Sequence, residues 1–125
     1  MGESSGPRRV LVVDDDPMLG RLLLRYLSRA GVPADLALSA TEARTVFLAG
    51  VYSHAVVDLT LPDGSGADWL AAALLEDMNL FGILSSGYPV STEFLPPELR
   101  LRATTLQKPF SPPDLLRALG HAETD

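Results

Sequence analysis

At 125 residues, 46% of them hydrophobic, the chain has the length of one domain and enough apolar mass for a core of its own. Sixteen acidic residues against ten basic give a net charge of −6, a balance that argues against nonspecific binding to nucleic acid or to anionic membranes. There is no cysteine, which excludes a disulfide framework, a thiolate metal site and a thiol nucleophile.

The opening "MGESSGPRR" lacks the apolar centre of a signal peptide, and no stretch reaches the roughly 20 apolar residues of a membrane span. Residues 1–8 are therefore expected to be a disordered lead-in and the chain to be cytoplasmic. Within residues 9–13, Val10 to Val13 form a short continuous apolar run, the pattern of a strand buried on both faces of a parallel sheet. This run ends on Asp14, Asp15 and Asp16, whose charges repel unless water, a cation or a lysine compensates them. Asp16, beside Pro17, is placed to cap a helix in which Leu19, Leu22, Leu23, Tyr26 and Leu27 recur at helical spacing up to Gly31.

"ADLALS" reads as a second strand. Ser39 and Glu42 form a capping box for a helix to about Leu48, closed by Gly50. "HAVVDL" repeats the first strand's design, apolar residues running out to Asp58. The turn "TLPDGSG" and a helix carrying Trp69, Leu70, Leu74 and Leu75 follow. "LFGILSSG" is the fourth strand and "TTLQ" the fifth. Pro89, Pro96 and Pro97 break any long helix between them, so a short or displaced helix is expected from near Pro96 or Pro97. Ser111, with Pro112, Pro113 and Asp114 in the first turn, opens a last helix through about His121. Five strands interleaved with about five helices imply an α/β fold, a doubly wound parallel sandwich with right-handed crossovers.

In such sheets the functional crevice lies at the carboxyl ends of the strands. Asp14 and Asp15 end strand one, Asp58 strand three, Ser85 and Ser86 strand four, and Lys108 strand five. Carboxylates, a hydroxyl and an ammonium on one edge suit a hard divalent cation meeting a phosphoryl group, and so few oxygen ligands suit Mg²⁺. His54 and His121 lie away from these ends and read as structural. Trp69, Met18 and Met78 read as core or partly buried helix residues.

These motifs in this order resemble the receiver domain of two-component response regulators, similar to the chemotaxis regulators, over a domain spanning residues 9–122. The family pattern is an acidic pair, here Asp14 with Asp15; a phosphoacceptor, Asp58; Ser or Thr before a small residue, Ser86 with Gly87; and Lys-Pro, Lys108 with Pro109. Pro62 and Gly66 fall where the family has its proline and glycine after the phosphoacceptor. The resemblance implies a flavodoxin-like (βα)5 sandwich of strand order 2-1-3-4-5. It implies that Asp58 takes a phosphoryl group from a histidine kinase or histidine phosphotransferase with Mg²⁺ as cofactor. Asp15, Asp58 and the Thr60 backbone carbonyl would be direct ligands and Asp14 a ligand through water. Lys108 would hold the phosphoryl oxygens and Ser86 would swing toward them, switching a protein-binding surface toward a downstream effector. The chain would thus be no enzyme in the ordinary sense, only an assistant in its own phosphorylation and dephosphorylation. "LQKPFSPPDLL" is similar to receivers of hybrid sensor kinases.

Two departures bear on output: Thr105 stands where many receivers carry an aromatic switch, and prolines occupy the usual fourth helix. By family analogy Thr60 and Tyr88 flank the water that hydrolyses the acyl phosphate, and Tyr88 is expected to cover the phosphoryl face. Alternative readings are a pseudo-receiver that binds partners without phosphorylation, and a haloacid-dehalogenase-like phosphatase with Asp14 as nucleophile and Asp16 as acid. The phosphatase would need a Gly-Thr-type turn after the aspartates, and none is evident. No Gly-rich turn follows strand one, which argues against dinucleotide binding.

Overall fold

The computed structural model describes residues 7–121; residues 1–6 of the expected lead-in, and residue 122 at the far end of the expected domain, lie outside them. The apolar run becomes β1 (Val10–Val13), buried at every position. It is followed by α1 (Pro17–Arg29), β2 (Ala34–Ala37), α2 (Ala40–Val46) and β3 (His54–Asp58). The turn after Asp58 is a tight hairpin of β4 (Thr60–Leu61) and β5 (Gly64–Ser65), leading into α3 (Gly66–Glu76). The remaining elements are β6 (Phe81–Ser86), β7 (Ala103–Gln107) and α4 (Pro112–His121).

The main sheet is parallel, ordered β2-β1-β3-β6-β7, which is 2-1-3-4-5 when only its own strands are counted. This is the doubly wound sandwich expected from the alternation of elements. Adjacent residues of each central strand point to opposite faces. Leu11, Val13, Ala55, Val57 and Leu84 therefore pack with Ala43 of α2 and Leu70 of α3. Val10, Val12, Val56 and Ile83 pack with Leu23 and Leu27 of α1 and Leu115 and Leu119 of α4. A run apolar at every residue is what a strand with a core on both sides requires.

Local signals account for the helix starts. Asp16 accepts from the amides of Met18 and Leu19 at 3.0 and 3.2 Å, Ser39 from Glu42 at 3.0 Å and Ser111 from Asp114 at 3.2 Å. These satisfy first-turn amides that no helical carbonyl can reach.

Two expectations are corrected. Met18 and Met78 are 76% and 77% exposed, one in the first turn of α1 and the other in the turn after α3, whereas Trp69 is buried against Phe47. Between β6 and β7 there is no α-helix but two 3-10 segments, Thr92–Phe94 and Pro97–Arg102, so the described residues hold four α-helices where about five helices were expected. The second segment starts at Pro97, as its prolines predict. Prolines deny the chain the amides that an α-helix needs, and the segment holds its place through buried Leu95 and Leu99.

Candidate functional site

The parallel register sets the site. Val13 lies beside Val57, and Asp58 beside Ser85, so the residues that follow these strands emerge along one edge. Backbone bonds continue past the strand ends: Asp14 N to Ala37 O at 3.0 Å, Leu59 N to Ser85 O at 2.8 Å and Lys108 N to Ser86 O at 2.7 Å. Asp14, Asp58, Ser86 and Lys108 are thereby rooted in the sheet, and Asp15 stands one residue beyond it.

Asp14, Asp15 and Asp58 each present a carboxylate oxygen within 4.8 Å of the others. Asp14 is buried, Asp15 exposed and Asp58 half-buried. Both oxygens of Asp14 are engaged, Oδ1 by the amide of Asp16 at 3.0 Å and Oδ2 by Lys108 Nζ at 2.8 Å. Lys108 Nζ also donates to Asp58 Oδ2 at 3.2 Å, and the amide of Thr60 donates to Asp58 Oδ1 at 3.3 Å. The lysine is thus one answer to the crowding of carboxylates after β1, but an incomplete one. Three carboxylates and one ammonium leave a formal −2 at the edge, the charge that one divalent cation neutralises. An all-oxygen donor set matches Mg²⁺ or Ca²⁺ and no soft metal.

Burial raises the Asp58 carboxyl above its usual range; the charge of Lys108 opposes this and that of Asp14 adds to it. For Lys108, burial alone would lower the ammonium pKa, but the hydrogen bond and charge of Asp14, together with Asp58, outweigh it and leave it raised. Ser86 is buried and its Oγ accepts from the amide of Tyr88 at 3.1 Å, which leaves its hydroxyl proton for another acceptor. Ser85, paired with Asp58 in the sheet, has a buried hydroxyl with no hydrogen-bond partner among the described residues. The Lys108–Pro109 peptide is cis.

Gly66 has a steric requirement that its place in the turn only partly foretells. A Cβ built there would fall 1.9 Å from the carbonyl oxygen of Asp58, so only glycine lets α3 start against the phosphoacceptor position predicted from sequence. The carboxylate of Asp16 caps α1, and only its backbone amide reaches the acidic cluster, donating to Asp14 Oδ1. Tyr88 is 80% exposed, and this geometry gives no support to its covering the edge. His54 is buried at the first residue of β3, the end of the sheet away from the acidic cluster.

No protein-family model matches the chain. Among curated proteins, the acid tolerance regulatory protein ActR of Rhizobium meliloti is 38% identical over 68 residues, 54% of this chain and 35% of ActR. The chain thus spans about a third of the length of that relative. Among solved structures, a response regulator receiver domain from Methanospirillum hungatei is 26% identical with a TM-score of 0.81, covering 92% of each chain. A sensor protein from Polaromonas is 28% identical with a TM-score of 0.77, covering 93% of this chain and 94% of that one. A Burkholderia pseudomallei response regulator, solved with a phosphorylated aspartic acid and a calcium ion, is 26% identical with a TM-score of 0.76, covering 90% of this chain and 66% of that one. The resemblance to response-regulator receiver domains read from the sequence is borne out, and with it the flavodoxin-like fold.

Proposed function

We propose that this chain is a phosphorylatable receiver of a two-component or phosphorelay system, with Asp58 as phosphoacceptor. The observation that carries the reading is the convergence of Asp14, Asp15, Asp58 and Lys108 on one sheet edge, with a formal −2 left over. An oxygen of Asp58 attacks the phosphorus of a phosphohistidine; the P–N bond breaks, the imidazole leaves, and Asp58 becomes an acyl phosphate. Lys108 holds its positive charge on the side of Asp58 where phosphoryl oxygens gather charge. Ser86 keeps a hydroxyl proton to donate to the phosphoryl group once it is present. A Mg²⁺ held by the acidic edge would offset the negative charge of the carboxylates and of the phosphoryl group.

Asp15, Asp58 and the Thr60 carbonyl are the proposed direct ligands. Asp14, whose two oxygens are already bonded, would act through water. The partners proposed are a histidine kinase or histidine phosphotransferase upstream and a protein effector downstream. The domain is assigned to residues 9–122. Among the described residues no helix is long and apolar enough to cross a membrane.

Incubation with a small acyl phosphate and Mg²⁺ is expected to add one phosphoryl mass, lost in Asp58→Asn and retained in Asp16→Asn. A label on Asp14 would establish the phosphatase reading instead, and an unlabelled wild type the pseudo-receiver.

A further inference from the structure

The hairpin that follows Asp58 is tied down at both ends. At its root the amide of Gly66 donates to the carbonyl of Leu59 at 2.8 Å. At its tip Asp63 reaches across to α2. Its Oδ1 accepts from the amide of Ala40 at 2.8 Å, and its Oδ2 from the amide and hydroxyl of Thr41 at 2.9 and 2.6 Å.

These are the first two amides of α2, the ones its own cap does not satisfy. Ser39 takes the third, from Glu42, while Glu42 Oε1 accepts from the amide of Leu38 at 2.6 Å. A side chain 22 residues from Thr41 in sequence thus completes the helix start. The Thr41 hydroxyl, then the two α2 amides, hold the Asp63 carboxyl down at about 2, so the contact persists through the neutral range.

Between root and tip lies Thr60, paired with Ser65 across β4 and β5. We propose that Asp63 is a positioning residue: by fastening the hairpin tip to α2 it holds the Thr60 backbone in place at the acidic edge and raises that edge's affinity for Mg²⁺. The inference rests on the receiver reading for the cation and for the role of Thr60.

The test is calorimetric titration of Mg²⁺ into the full chain, with hydrogen exchange followed at residues 38–42 and 59–66. Asp63→Ala is expected to weaken Mg²⁺ binding about tenfold, the scale on which groups that orient ligands act, and to speed exchange in both segments while β1 and β6 stay unchanged. Asp63→Asn, which keeps an oxygen acceptor, falls between. Thr41→Val weakens the wild type but adds little to Asp63→Ala. Mg²⁺ affinity in Asp63→Ala within about twofold of wild type overturns the proposal even if exchange rises, because Asp63 would then be only a helix cap. If Asp63→Ala does not fold, Asp63→Asn and Thr41→Val carry the same comparison. A wild type that binds Mg²⁺ but takes no phosphoryl group overturns the receiver reading alone. One that binds no Mg²⁺ overturns both.

Discussion

Asp58 and Lys108 sit 3.2 Å apart yet affect stability in opposite ways. The folded pKa of Asp58 lies above its ordinary value, so over that window the native state holds more protons than the unfolded chain. Its contribution is most favourable below the ordinary carboxylate value of about 3.9 and is lost as pH rises through the folded value. Ionised Asp58 is therefore a burden at neutral pH. Asp58→Asn is expected to raise stability in chelator by about 1 kcal/mol, read as the urea midpoint; an unchanged or lower midpoint contradicts this. Lys108 also has a raised folded pKa, but its contribution is fully present below about 10.4 and is lost only as pH rises through the higher folded value. Lys108→Met leaves the Asp14 carboxylate, whose side chain is 6% exposed, with no cation beside it. A loss of about 3 kcal/mol is expected across the neutral range.

At the scale of elements, the segment from Tyr88 to Arg102 is the part that departs most from what its neighbours in the sheet would suggest. Buried Leu95 and Leu99 anchor it from one side. Arg102 anchors it from the other, donating to the carbonyls of Leu74 at 2.9 Å, Leu80 at 3.2 Å and Asp77. The Leu74 carbonyl is in the last turn of α3, beyond the reach of its helical amides, while Asp77, which also accepts from the Leu80 amide at 3.2 Å, and Leu80 lie in the turn from α3 to β6. The guanidinium thus does for α3 what a C-cap would do, and ties the proline-rich segment to it. Arg102→Ala is expected to lower stability by about 2 kcal/mol, and Arg102→Lys to recover little, since an ammonium lacks the planar fork that reaches separated carbonyls. Recovery by lysine in urea unfolding would show that charge alone matters. Much of this level was legible beforehand. Aliphatic runs gave the central strands, and Asp16, Ser39 and Ser111 gave the helix starts, because these signals act over a few residues. Strand-end aspartates and Lys108 converge because parallel strands share a carboxyl edge, so the site followed from the fold class. Arg102 and Asp63 were not legible: each acts on backbone groups more than 20 residues away, and no local pattern marks a side chain for a distant carbonyl or amide. The methionines misled for a related reason. Apolarity suggests burial, but the packing arrangement as a whole decides which side of α1 carries Met18 outward, and Met78 lies beyond the end of α3 in the turn to β6.

For the molecule as a whole, the question is whether a cation acts at one place or merely screens a chain of net charge −6. Screening responds to ionic strength and is indifferent to the ion's valence and to any single carboxylate. Site binding stabilises by mass action, about 2.7 kcal/mol at a hundred times the dissociation constant, which for a domain of this size shifts the melting temperature on the order of 10 °C. K⁺ at matched ionic strength is expected to give little of that shift, and Asp58→Asn much less of it than wild type. The two proteins should therefore exchange rank. In chelator Asp58→Asn melts higher, because it lacks the half-buried charge; with Mg²⁺ in excess the wild type does, because that same charge becomes a ligand. A melting series over rising Mg²⁺ locates the crossing. Parallel curves for the two proteins, or an equal response to K⁺, would mean that the acidic edge is only a region of repulsion and that Asp58 has no part in holding a cation.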